Sequence, residues 1–387
     1  MEISIIATTR MGTIAEKSDF DNLSGKAAGV CYMPATFDDL LHEDIAKTNK
    51  RVEQTKSSGH HSVYDHNNIT LYLDGIPKIV AMLINNEKQY TTSEKSARYT
   101  KMKLSAKEQL VYDKWLEMFK NRIAKKYKAD YPQFFTDSKI EKLAQENARY
   151  LISVFTPTSM VYTTTYRQIN NIIAFIEKQL SKQEKSAFEV ALDEHLRELL
   201  SKLKALPYYD ARLAANEKCR EFSLLAKTKV EEYFGDAYAT SYKASFAELA
   251  QAQRHRTISY SMKVLENEYY IPPIIADSPD LCELWISDIK SLGDIYPQAT
   301  LLEINEIGNL DAFILKMKER KCTFAQLEIN QITNETLKKY EYALRLKIHP
   351  RAEEIIEYTK GSRCTFPDYK CPAPCGFALG VNETRLI

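Results

Sequence analysis

Tyr238-Ala-Thr-Ser-Tyr-Lys-Ala244, followed by Phe246 to Arg256, is the stretch on which the fold turns. The first segment reads as a strand and the second as a helix that closes on Gln251-Ala-Gln-Arg254-His255-Arg256. The same order occurs earlier. Ile69-Thr-Leu-Tyr-Leu-Asp74 alternates apolar and polar residues as a half-buried strand does, and a helix is expected from Pro77 onward. Counted from Asn86 to Arg254, the spacing is 168 positions. That is domain-sized and too long for a solenoid, so the spacing predicts an internal duplication. The expected fold class is α+β, two tandem domains that each combine strands with long helices. Further elements are a strand over Glu2 to Thr9, a helix over Phe37 to about Lys56, and helical sequence from Ser105 to about Lys204. The expected boundaries are 1–205, a connector over 206–228 that opens at Leu206-Pro207, a second domain over 229–345, and a Cys-rich tail over 346–387.

Composition narrows the function. The chain has 387 residues with 53 Lys+Arg against 52 Asp+Glu, a net charge of +1, so a surface that coats nucleic acid is not expected. Its longest apolar run, Ile79 to Ile84, is far short of a membrane span, and no secretory signal is legible at the N-terminus. A soluble, cytoplasmic protein with no membrane partner is expected. No two of the 11 glycines stand two or five residues apart, which excludes GxGxxG and GxxxxGK phosphate-binding loops; HExxH and GxSxG are absent too. Seven cysteines, an odd number, suit reduced thiols better than a disulfide framework.

Three segments carry candidate chemistry. Gly59-His60-His61-Ser62-Val63-Tyr64-Asp65-His66 places three of the seven histidines just ahead of a strand; ring stacking or hydrogen bonding to a ligand suits them better than a metal, for no Cys or second carboxylate lies at ligand spacing. Ser93-Glu94-Lys95-Ser96-Ala97-Arg98-Tyr99 offers hydroxyls and a guanidinium, the groups that hold phosphate, although a capped helix start would read the same way. Arg254, His255 and Arg256 fan out around a helix end, which suits a junction between ligands but also complements a helix dipole.

Together these segments resemble the flavin-dependent thymidylate synthases, over about residues 25 to 335. The pattern occurs twice and is incomplete each time. The first half shows Gly59 to His66 and Glu94-Lys95-Ser96-Ala97-Arg98-Tyr99, with Asn86-Glu87-Lys88 at the Arg-His-Arg position. The second shows Arg254-His255-Arg256-Thr257-Ile258-Ser259, Asn309 and Arg320-x(4)-Ala325-Gln326-Leu327-Glu328-Ile329, with Val264-Leu265-Glu266-Asn267 where Ser-x-Arg-Tyr belongs. The resemblance implies that each dUMP lies between two contributors. The first set survives in half one as Glu94, Ser96, Arg98 and Arg149, against Met262, Val264, Glu266 and Gly293 in half two. The second survives in half two as Gln251, Arg254 and Arg320, against Leu83, Asn86 and Gln179 in half one. Retention and loss are complementary, so one composite pocket is expected, its reciprocal dead.

The resemblance further implies that Tyr99 joins the substrate side, and that Ser96, Arg98 and Arg254 act catalytically. It places FAD at His60, Ser62, His255, Arg256, Ser259 and Asn309, with Asp311 and Leu315 departing from the usual flavin contacts. It implies C5 methylation of dUMP with methylenetetrahydrofolate and NADPH, and a homodimer imitating the family's tetramer. In the tail, Cys364, Cys371 and Cys375 are candidate zinc ligands, with His349 or Cys322 as a fourth.

Overall fold

Alternation makes Asn68–Pro77 a strand: Ile69, Leu71 and Leu73 are buried, whereas Asn68, Tyr72 and Asp74 are exposed. The pattern breaks at Gly75, where a φ of 71° and a register shift between Asp74 and Ile76 mark a bulge that turns both Ile76 and Pro77 inward. Pro77 then caps the short helix Lys78–Ile84, buried throughout except at Lys78. The computed structural model describes residues 1–9, 14–34, 36–95, 102–215, 219–226, 230–293, 295–370 and 387.

In chain order the elements are β1 (Glu2–Thr8), α1 (Lys17–Tyr32), α2 (Phe37–Leu41), α3 (Ile45–Ser57), β2 (Asn68–Pro77), α4 (Lys78–Ile84), β3 (Tyr90–Glu94), α5 (Ala106–Ile123), α6 (Asp137–Ala148), β4 (Pro157–Thr165), α7 (Tyr166–Leu180), α8 (Ala187–Lys204) and α9 (Ala211–Ala214). They continue as β5 (Tyr233–Phe234), β6 (Ala237–Ser245), α10 (Phe246–Ala252), β7 (Ser259–Tyr269), α11 (Pro279–Ser291), β8 (Thr300–Asn309), α12 (Leu310–Arg320), α13 (Leu327–Leu346) and α14 (Ala352–Glu357). The chain forms two compact units. Unit 1 is Met1–Lys95 with Pro157–Ser223, and unit 2 is Ser96–Thr156 with Leu224–Ile387.

Each unit holds one antiparallel four-stranded sheet, in the order β1-β2-β4-β3 and β5-β6-β8-β7. The expected α+β class is therefore observed, with the same strand order twice. The internal alignment agrees with the register. Helices α4 and α10 begin 168 positions apart, at Lys78 and Phe246. Glu94 pairs with Met160 and Met262 with Ile304, so Glu94 and Met262 are again 168 apart, while Met160 and Ile304 are 144 apart, as are the helix caps Thr165 and Asn309.

Several expectations need correction. The helix over Phe37 to Lys56 is two helices, because Asp44 caps a new start at Ile45. The helical run from Ser105 contains a strand, β4, whose inward residues Thr158, Met160, Tyr162 and Thr164 include two threonines and so hide the apolar alternation. The helix expected to reach Arg256 stops at Ala252.

Residues 96–156, placed in the first domain from sequence, group with unit 2 through packing. Trp115 and Phe119 of α5 meet Trp285 of α11, with the two indoles edge to face at 4.8 Å. Such a pair adds about 0.5–1.5 kcal/mol beyond burial. Part of the connector is core in unit 1: Tyr208 and Leu213 are buried, and Lys56 Nζ lies 2.8 Å from both Asp21 and Asp210. Burial alone would raise the Asp210 pKa, but Lys56 and Lys17 hold it well below the usual carboxylate range. In unit 2, Ile355, Tyr358 and Phe366 from the start of the tail join the cluster of Tyr238, Phe313 and Tyr340.

Candidate functional site

Helix α10 starts at its cap Ser245, whose Oγ accepts the Glu248 N–H at 3.2 Å. It ends in tightened turns, with Arg254 N–H on the Gln251 carbonyl at 3.2 Å and His255 N–H on that of Ala252 at 3.0 Å. Arg254 thus lies in a turn beyond the end of the helix and not within it. The turn exposes Arg254 and Arg256 and buries His255. From the end of α12, Arg320 Nε donates to His255 Nε2 at 2.7 Å, and its Nη2 donates to the Gln251 carbonyl at 3.1 Å. Accepting at Nε2 makes His255 the neutral imidazole that carries its proton on Nδ1. Burial and the charges of Arg320 and Lys316 push its pKa down to about 2.

Arg149 reaches the same place from the end of α6. Gln326, almost fully buried just before α13, is the hub: its Oε1 accepts from both Arg149 Nη2 and Gln251 Nε2, and its Nε2 donates to Tyr150 Oη. Tyr150 donates on to Glu328 at 2.8 Å, and Glu328 also holds Ser245 through its N–H at 2.8 Å and its Oγ at 2.6 Å. Within unit 2, Arg149, Gln251, His255 and Arg320 therefore form one hydrogen-bonded cluster. Its guanidinium and amide donors match the anionic and carbonyl oxygens of a nucleotide. The hub and its supports Tyr150 and Glu328 were missed as site residues, although Gln326 and Glu328 stood within the motif that begins at Arg320.

The remaining candidates fall as follows. Ser259 is exposed at the start of β7, and Asn309 caps α12 by accepting the Ala312 N–H at 2.8 Å. Asp311, one of the two departures from the usual flavin contacts, is paired with Arg351 at 2.7 Å, and Leu315, the other, is exposed. Glu266 is exposed and accepts from the Tyr296 hydroxyl at 3.3 Å. In unit 1, Glu94 accepts from Lys78 at 2.5 Å, His60 is half-buried before a 3-10 turn over His61–His66, and Ser62 is exposed. Other members of that motif are structural: His61 is buried on the Lys56 carbonyl, and Asp65 accepts from Thr165 and Arg167 at 2.8 Å each. Ser96, Arg98 and Tyr99 lie outside the described residues, as do Cys371 and Cys375. Cys364 is half-buried, and among the described residues no cluster of three His, Cys, Asp or Glu could hold a metal. Among them, too, no helix is long and apolar enough to cross a membrane.

The matching turn of unit 1 is built differently. Glu87, 168 positions before His255, is fully buried and accepts from Ser223 N–H at 2.6 Å, Ser223 Oγ at 2.8 Å and the Arg220 guanidinium. Asn86, at the Arg254 position, donates to Ser223 Oγ at 2.8 Å, and Arg220 lies 4.5 Å over the Phe175 ring. Leu83 is core, and Gln179 donates to Glu189 at 3.0 Å. The end of the connector thus occupies this turn.

A family model for the thymidylate synthase complementing protein matches residues 13–200. No curated protein matches the chain. Among solved structures, thymidylate synthase X from Helicobacter pylori with FAD and dUMP is similar at 13% identity and a TM-score of 0.33, covering 55% of this chain and 96% of that one. The UMP/dUMP methylase PolB from Streptomyces cacaoi, bound with 5-Br dUMP, is similar at 18% identity and a TM-score of 0.31, covering 52% and 90%. The family match thus makes residues 13–200 of this chain similar to the thymidylate synthase complementing proteins.

Proposed function

We propose that the chain is a flavin-dependent methyltransferase acting at C5 of dUMP, formed by tandem duplication, with one working pocket and a closed counterpart. The observation that supports it is the cluster of Arg149 with Gln251 and Arg320 through Gln326. The sequence resemblance assigns Arg149 to one contributor to the nucleotide and the other two to the opposite one. In this reading Arg149, Arg254, Arg320 and Gln251, with Glu94, Ser96, Arg98 and Tyr99, hold phosphate and pyrimidine. The exposed Arg256 and Ser259 suit a flavin diphosphate, as donors to an anion, with His60, Ser62, His255 and Asn309 completing the set. FAD supplies the hydride chemistry, methylenetetrahydrofolate the carbon and NADPH the reducing equivalents. The chain's own work is to orient the base and to set charge around it: neutral His255 accepts from Arg320 and so fixes that guanidinium. Two chains pair to imitate the family's tetramer, and a tail zinc at Cys364, Cys371 and Cys375 is part of the reading.

The test is release of the C5 hydrogen from dUMP when purified protein is given FAD, NADPH and methylenetetrahydrofolate. Protein that binds no flavin and releases none of that hydrogen sinks the reading. Asp311 and Leu315, at places of flavin contact, motivate the rival in which the chain binds the nucleotide without catalysis. Calorimetry showing tight dUMP binding with no FAD binding favours that rival.

A second expectation follows from the occupied turn in unit 1. One dUMP is expected to bind per chain, and two per chain would overturn the one-pocket reading. Glu87→Gln is expected to cost about 1–3 kcal/mol in urea unfolding, because a buried charge-assisted network loses its anion, while changing dUMP affinity less than twofold.

A further inference from the structure

Behind its nucleotide cluster, unit 2 buries charge where unit 1 buries hydrocarbon. At positions matched by strand register and helix start, the buried Ile69, Leu73, Val80 and Ile172 of unit 1 correspond to Tyr238, Tyr242, Glu248 and Lys316 of unit 2. Tyr162 likewise corresponds to Glu306. Most of this polar set is satisfied. Glu306 accepts from Lys316 at 2.6 Å, from Tyr238 at 2.6 Å and from Tyr242 at 2.8 Å. Glu248 is the exception: it is fully buried, and neither carboxyl oxygen has a hydrogen-bond partner among the described residues.

The local reason is visible. Glu248 is the third residue of a helix capped by Ser245, a place from which a glutamate ordinarily accepts the cap's own N–H. Glu328 has taken both Ser245 donors instead. The fold does not require an acid here, since Val80 fills the matching position of α4. A carboxyl kept buried without its usual partner, within electrostatic reach of Lys316 and the Arg320 guanidinium, points to use rather than to packing.

We propose that Glu248 is a positioning residue that holds its proton at neutral pH, so that Arg320, already 3.6 Å from the Glu319 carboxylate, is not shared with a second carboxylate and stays available to an anionic ligand, and that losing the proton weakens that ligand's grip. The ligand named here rests on the nucleotide reading above. The groups facing Glu248 are Lys316 and Arg320 from α12, Glu306 from β8, Glu328 from α13, Tyr242 from β6 and Tyr260 from β7. Burial is the largest influence and Lys316 opposes it; the result is a carboxyl pushed up to about 8. An acid raised in the folded state binds more protons folded than unfolded, so stability falls as pH climbs from the ordinary carboxyl value of 4.5 toward 8.

Two measurements on the full chain decide the matter, using wild type, Glu248→Gln and Glu248→Val, the last placing the residue that unit 1 carries. First, urea unfolding of the ligand-free protein: wild type should lose stability between pH 5.5 and 8.5 relative to Glu248→Gln, and parallel profiles overturn the proposal. Second, dUMP affinity by calorimetry: wild type should weaken about five- to tenfold from pH 7 to 8.5, the scale of one pKa unit of interaction, while both variants stay level within twofold. The phosphate's own second proton leaves near pH 6, and its loss adds negative charge, so it cannot produce this fall. The same decline in all three proteins overturns the proposal. Absence of dUMP binding in all three at every pH overturns the nucleotide reading, and with it the ligand half of this proposal, while the first measurement still decides whether Glu248 holds its proton.

Discussion

Arg254→Ala is expected to weaken dUMP binding by about thirtyfold or more, the scale of one charge-assisted hydrogen bond at roughly 2 kcal/mol. Melting should move by no more than about two degrees, because Arg254 is exposed at the turn after α10 and surface changes usually stay within about 0.5 kcal/mol. Arg98→Ala is expected to produce a comparable loss. Glu266→Ala should leave dUMP affinity unchanged, since the proposed one-pocket arrangement puts this acid in the pocket that no longer takes the ligand. The contrast matters more than any single value. Equal damage from all three variants in one calorimetric series would contradict one working pocket per chain.

Lys316→Ala is expected to remove about 3–5 kcal/mol of stability, the usual consequence of stranding one member of a buried ion pair. Lys316 and Glu306 are both fully buried at 2.6 Å, and two tyrosine hydroxyls complete the carboxylate's shell. Without the ammonium, Glu306 must keep an uncompensated charge or take up a proton. Lys316→Met combined with Glu306→Gln should recover at least half of the loss, because a neutral pair no longer carries the desolvation cost. Unit 1 shows that the fold accepts such chemistry, with Ile172 and Tyr162 at the matching places. Urea unfolding checks both variants. A single-variant cost below about 1 kcal/mol would mean that the pair is neutral or hydrated.

Much of the fold was legible before any coordinates. The 168-position spacing reappears in the starts of α4 and α10 and in the register that aligns Glu94 with Met262. Strand β4 was not legible, because threonines fill half its inward positions and long helical patterns flank it. The early end of α10 was equally hidden: nothing local forbids a helix through Arg254, and the chain leaves it to enter β7. In the site, Arg149, Gln251 and Arg320 were singled out by the resemblance to the flavin-dependent thymidylate synthases. Gln326 was quoted only as part of a motif, since its role as hub depends on an arginine 177 positions away.

The order of residues by itself determined which side-chain types stand at corresponding places of the two halves, because Arg254 against Asn86, or Glu94 against Met262, is a difference that needs no coordinates. Tertiary structure decided which residues share surroundings. It drew 96–156 into the second unit through the Trp115–Trp285 contact and turned Glu87 into the anchor of the connector. It also left Glu248 buried with no hydrogen-bond partner among the described residues. Charge and hydrogen-bonding capacity are properties of a residue, but burial and partnership are properties of distances that only the folded chain sets.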